Sequence, residues 1–127
     1  MNKTDISTQE DIQLLVNSFY DKVRLNPVIG YIFDEIAHVN WEKHLPIMYS
    51  FWGSILLGEH SYSGNPMVKH VALSRLVDLT EKEFDEWRRL FNQTIDELFE
   101  GEKADMAKTR AENIARMMLY KVQQNKL

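Results

Sequence analysis

Apolar residues recur along this chain at spacings of three and four, the signature of helices with one buried face. Ser7-Thr8-Gln9-Glu10 reads as a capping box, with Ser7 and Glu10 covering the exposed amides of a helix start. Ile12, Leu15, Val16, Phe19 and Val23 follow as one stripe, and Tyr20 lies on its flank. Asn26-Pro27 stops that helix and opens a short one from Pro27 to Phe33, and Asp34 to Val39 reads as a linker. Asn40 is placed to cap the next helix, whose stripe is Trp41, Leu45, Met48, Trp52 and Ile55. A second row of His44, Met48, Phe51 and Ile55 runs beside it, so His44 and Met48 share a face one turn apart. Gly58 is the expected stop. Thr80-Glu81-Lys82-Glu83 is another capping box and opens a helix with Phe84, Trp87, Leu90, Phe91, Ile95, Leu98 and Phe99 inward, ended by Gly101. A last helix, about Lys103 to Gln124, buries Ala104, Ala107, Ala111, Ile114, Ala115, Met118, Leu119 and Val122; its alanines permit close helix approach.

The expected fold is therefore all-α, with two long helices before a weakly structured middle and two after it. The connection from Gly58 to Leu79 is the anomaly, because helices in a plain bundle are joined by about 2–8 residues. Gly58, Gly64, Asn65 and Pro66 predict an irregular loop, and a brief helical turn is expected across Met67–Leu73. The segment carries Met67, Val68, Val71, Leu73, Leu76 and Val77, too apolar for a solvated linker. It must pack on something, and a bound apolar cofactor would serve.

Length and charge narrow the classes. A chain of 127 residues reads as one domain spanning 1–127, long enough for its own core. The absence of cysteine excludes disulfides and thiolate metal sites and accords with a cytoplasmic location. A net charge of −4, with acids and bases interspersed, argues against nucleic acid as a partner. No apolar run approaches the ~20 residues of a membrane span, and residues 1–10 lack a signal-peptide pattern.

His70 lies near the middle of the long connection and could coordinate a metal through one ring nitrogen. Tyr20, His44 and Trp87 are rings with polar tips beside apolar stripes, and a buried tip of that kind needs a partner. A haem-bound gas ligand would serve all three. Each is equally an ordinary core aromatic or structural histidine when taken singly. His38 and His60 fall in loops and read as solvent-exposed.

Together these fragments resemble the truncated haemoglobins, and among them the third group. The likeness rests on Phe19-Tyr20-Asp21-Lys22-Val23-Arg24, Ile32-Phe33, Trp41-Glu42-Lys43-His44, Phe51-Trp52, Leu56-Leu57-Gly58-Glu59, Tyr62-Ser63-Gly64-Asn65-Pro66, His70 and Trp87, in that order. It implies a two-over-two helical sandwich enclosing haem b (iron protoporphyrin IX). It implies His70 as the proximal iron ligand, with Tyr20, His44 and Trp87 on the distal side and Met48 lining the distal cavity. Phe33 and Phe51 would pack on the cofactor, and Tyr62 and Lys69 would meet its propionates. Met48 departs from the branched aliphatic side chain usual in the family, which alters the volume open to ligand.

Two function classes follow from the resemblance. One is a redox enzyme with dioxygenase- or peroxidase-like turnover on O₂, NO or peroxide, drawing electrons from an external reductase. The other is a binding protein for O₂, CO or NO that carries, buffers or senses oxygen without turnover. A haem-free helical interaction module is the third reading; it requires His70, Tyr20 and Trp87 to be coincidental.

Overall fold

The chain's helices begin where local chemistry can satisfy their first amides. The computed structural model describes residues 3–59 and 78–125. Among these lie four α-helices, α1 (Gln9–Leu25), α2 (Trp41–Leu56), α3 (Glu81–Leu98) and α4 (Glu102–Asn125), and a π-helical turn at Ile32–Ile36. The all-α reading holds across the described residues. The turn expected at Met67–Leu73 lies outside them, as does the apolar segment from Met67 to Val77.

In α1 the cap sits one residue later than the sequence suggested. Thr8 is the N-cap, and Asp11, not Glu10, answers it. The Asp11 carboxylate accepts from the Ser7 N–H (2.9 Å) and the Thr8 N–H (3.1 Å), while Thr8 Oγ1 accepts from the Asp11 N–H. Two caps and two acids stand side by side here, and the acid whose register gathers both amides wins. The predicted stripe is buried as expected: Ile12, Leu15, Val16, Phe19, Tyr20 and Val23 all lie within the core. Each such aliphatic or aromatic side chain contributes roughly 1.5–3 kcal/mol of gross burial energy.

The corner after α1 is made by Asn26. Its Oδ1 accepts from the N–H groups of Val28 (2.8 Å) and Ile29 (3.1 Å), and its Nδ2 donates to Glu86 Oε2 of α3 at 2.7 Å. Gly30 packs so tightly on the end of α1 that a Cβ would lie 2.8 Å from the carbonyl oxygens of Val23 and Arg24. The short helix predicted over Pro27–Phe33 is instead a turn that widens into the π-helix, and the linker begins only after Ile36. The Ala37 N–H reaches Ile32 O, five residues back, at 2.8 Å. A turn with one extra residue has no separate signature in a three-and-four pattern.

Asn40 occupies the N-cap position of α2 but its side chain makes no capping hydrogen bond. Pro46 lies inside the same helix and removes another amide from the ladder. The helix ends as predicted, with Gly58 at φ 71°. At its C-terminus Lys103 Nζ donates to Leu56 O at 2.6 Å, a cation on the negative end of the helix. The second predicted capping box is present in α3: the Thr80 N–H donates to Glu83 Oε1 at 2.7 Å.

The segment ahead of α1 has no stripe of its own, yet Ile6 is fully buried. Asp5 caps α4 from ninety-odd residues away, accepting from the Lys103 and Ala104 N–H groups at 2.9 Å each. The Glu100 N–H adds a bond to Thr4 O at 3.1 Å. α1 packs on both α2 and α3, and α3 packs on α4, whereas α2 meets α4 only slightly. The inner face of α2 is accordingly half-buried at His44, Leu45, Met48, Phe51 and Ile55. Among the described residues it faces a cavity and no partner helix.

Glu86 carries a pH consequence. Hydrogen bonds from Arg89 and Asn26, with the Arg89 charge, outweigh burial and hold its carboxyl down to about 2. A depressed carboxyl stabilises the fold above its ordinary value of ~4.3 and loses that contribution as pH falls towards the folded value. The Glu86→Gln variant should therefore unfold at lower urea than the parent near pH 7, by roughly 1 kcal/mol. That gap should narrow as the pH approaches about 2–3, which urea midpoints across the acid range would show.

Candidate functional site

The space beside α2 is an apolar cavity of about 130 Å³ that opens to solvent. Five segments build it. α1 contributes Tyr20, and the corner and π-turn contribute Ile29, Ile32 and Phe33. His44, Met48, Phe51 and Trp52 come from α2; Leu79, Glu83, Phe84 and Trp87 from the start of α3; and Ile114, Ala115 and Met118 from α4. Six side chains singled out in the sequence, Tyr20, Phe33, His44, Met48, Phe51 and Trp87, thus face one cavity.

The polar tips on this wall are few and fixed. Tyr20 is 7% exposed, and burial pushes its phenol far above the ordinary value, so the hydroxyl keeps its proton and can donate. His44 Nε2 stands 3.4 Å from Tyr20 Oη, a contact whose donor depends on the imidazole tautomer. The two rings meet nearly edge-on, at 79° and 5.3 Å between centroids. Trp87 is held by Phe19 edge-on at 5.6 Å and by Phe91 stacked at 5.8 Å. Phe91 in turn stacks on Trp52 at 4.8 Å. Rings braced in this way cannot easily turn their polar edges elsewhere.

Some cavity residues escaped the sequence reading. Phe84, Ile114, Ala115 and Met118 were read as helix-packing positions; the cavity shows that part of each stripe faces open space. Leu79 and Glu83 gave no separate signal, since Glu83 was accounted for by the capping box. His70, Tyr62 and Lys69 lie outside the described residues, and so does His60. His38 is exposed, as expected, and sits at φ 50° between the π-turn and α2.

A family model described as bacterial-like globin matches residues 4–121. The chain belongs to this globin family. It is 32% identical over 125 residues to the group 3 truncated haemoglobin of Campylobacter jejuni subsp. jejuni, a match covering 94% of this chain and 96% of that protein. The crystal structure of group III truncated haemoglobin from Campylobacter jejuni matches it with a TM-score of 0.81 and 30% identity, over 96% of this chain and 95% of the other. The fold is thus the truncated-globin sandwich, and membership makes this a globin-type haem-binding protein of the third truncated group. The described part of the cavity fits that cofactor in its chemistry: its walls are apolar, and a protonated phenol, an imidazole and a braced indole stand among them. No helix among the described residues is long and apolar enough to cross a membrane.

Proposed function

We propose that this globin holds haem b in the α2-facing cavity and binds O₂ and other diatomic ligands, CO and NO included, on the side lined by Tyr20, His44 and Trp87. The observation that carries this reading is the arrival of these three polar-tipped rings, from three helices, on one apolar wall. His70 serves as the axial ligand on the opposite side. Phe33 and Phe51 pack against the cofactor, Met48 sets the ligand volume, and Tyr62 and Lys69 meet the propionates. Haem supplies reversible gas binding and one-electron chemistry, and the chain's side chains tune both.

Tyr20 donates from a buried, protonated hydroxyl, and Trp87 donates from an indole fixed by Phe19 and Phe91. In a low-dielectric pocket such donors stabilise negative charge on a ligand. They hold O₂ strongly, which favours redox chemistry on O₂, NO or peroxide over storage and release. Electrons then come from a separate reductase, in the reducing conditions of the cytoplasm.

Adding hemin to the purified haem-free protein should produce a Soret band that saturates at one equivalent. A titration with no saturable band would sink the reading. Once loaded, the reduced protein should consume NO in air or oxidise a peroxidase dye with a supplied reductant. Reversible O₂ binding with neither turnover would make it a carrier or sensor.

A further inference from the structure

Behind the cavity wall stands a ring that does not itself line the cavity. Trp41, the first residue of α2, stacks on Phe33 at 6.0 Å and 26°, meets His44 edge-on at 5.5 Å and 83°, and meets Tyr20 at 5.3 Å. It thereby backs three wall rings from three separate segments. From outside it is gripped twice. Its Nε1–H donates to Asp34 Oδ1 of the π-turn at 2.9 Å, and the Arg24 guanidinium of α1 lies over its face, 4.8 Å from the centroid. Arg24 Nε also approaches Asp34 Oδ2 at 3.6 Å, so the three residues close a loop.

The local helix gives Trp41 and His44 little support of its own. Asn40 makes no side-chain cap, and Pro46 deletes the amide that would bond back to the first turn. A helix end of this kind frays readily unless tertiary contacts hold it. The indole–carboxylate bond and the cation over the ring tie that end to α1 and to the π-turn.

We propose that Trp41, clamped by Asp34 and Arg24, is a positioning residue that keeps His44 turned towards Tyr20 and so sets ligand entry to the cavity. This rests on the reading of the cavity as a haem and gas-ligand site. Loosening the clamp frees the first turn of α2, and His44 then leaves its place beside Tyr20 more often. Ligand access rises while Tyr20 and Trp87 remain where they are.

The test compares Trp41→Phe and Asp34→Leu with the parent, each with His44 intact and with His44→Leu. The C–O stretching band of the CO-loaded protein and the CO association rate after flash photolysis are the readouts. With His44 intact, both variants should redistribute the band towards a less polar component and speed association on the order of fivefold. In the His44→Leu background neither change should appear. Unchanged band and rate in both variants, or changes that persist at full size without His44, would overturn the proposal. A merely structural role would lower the melting temperature and leave the band in place. Asp34 is 39% exposed, so Asp34→Leu carries the test if Trp41→Phe does not fold. Should no variant or parent take up haem, the haem reading fails, and the clamp is judged by NMR of the haem-free chain. There Asp34→Leu should weaken the nuclear Overhauser contact between the His44 and Tyr20 rings. A contact of unchanged strength would overturn the proposal.

Discussion

Replacing His70 with glycine should strip the globin of stable haem, leaving protein that takes up hemin only weakly unless imidazole is added. The cavity walls that the structure describes are apolar, with polar tips on the Tyr20, His44 and Trp87 side, and would hold a macrocycle mainly by apolar contact. On the proposed reading the bond to iron comes from His70, the histidine that the family resemblance aligns with it. Free imidazole at millimolar concentration can occupy the vacated place and restore a five-coordinate spectrum. The check is a hemin titration followed by transfer to apomyoglobin: the variant should surrender its haem far faster than the parent. An unaltered spectrum and transfer rate would remove His70 from the site and make His44 the main candidate ligand.

The next largest effect is expected at Tyr20. The Tyr20→Phe variant keeps the ring that packs on Phe19 at 4.9 Å and on Trp41 at 5.3 Å, and removes only the buried hydroxyl. O₂ should then escape about tenfold faster, the factor that ~1.4 kcal/mol represents. Trp87→Phe should act in the same direction, since it deletes an indole N–H while preserving a ring for Phe19 and Phe91. Both donors would meet one small ligand, so the double variant should fall short of the product of the singles. Stopped-flow O₂ dissociation on the three proteins measures this. Multiplying effects would place the two donors at separate sites. CO escape, which depends little on hydrogen bonding, should change far less in each.

The parts of this molecule that could be read from sequence are those governed by near neighbours in the chain. The stripe from Ile12 to Val23 and the Thr80–Glu83 box depend on contacts within a turn or two, and both stand where the spacing put them. Where two residues could play one role, the sequence misplaced the part by a step, as at Thr8 and Asp11. Where the partner is remote, nothing in the local pattern announces it. Asp5 caps a helix that begins at Glu102, and Ile6 enters the core from a segment that looks solvated. The π-turn escaped for a different reason: Ile32 and Phe33 suit the end of a short helix and Asp34 to Ile36 a linker, and one extra residue in a turn leaves no mark on the spacing.

The site divides in the same way. Tyr20, His44 and Trp87 were conspicuous as polar-tipped rings on apolar faces, but spacing could not say that three helices bring them to one wall. A shared gas ligand was one way to join them, and the family resemblance made that reading specific. Trp41 was visible as the first member of a stripe, and its second life as the backing of Phe33 and His44 depends on Asp34 and Arg24, which look like surface charges.

The slight contact between α2 and α4 has a consequence for how long the protein lasts. A cofactor seated between two helices that barely touch among the described residues would join them, so that cofactor and polypeptide would form one cooperative unit. Mass action then sets the stability: a tenfold excess of haem over its dissociation constant adds about 1.4 kcal/mol to the folded state. Chains made faster than haem is supplied would lack that increment and be open to proteases and quality control. Cellular levels of this globin would then follow the availability of its cofactor, with no regulator needed beyond the gap itself.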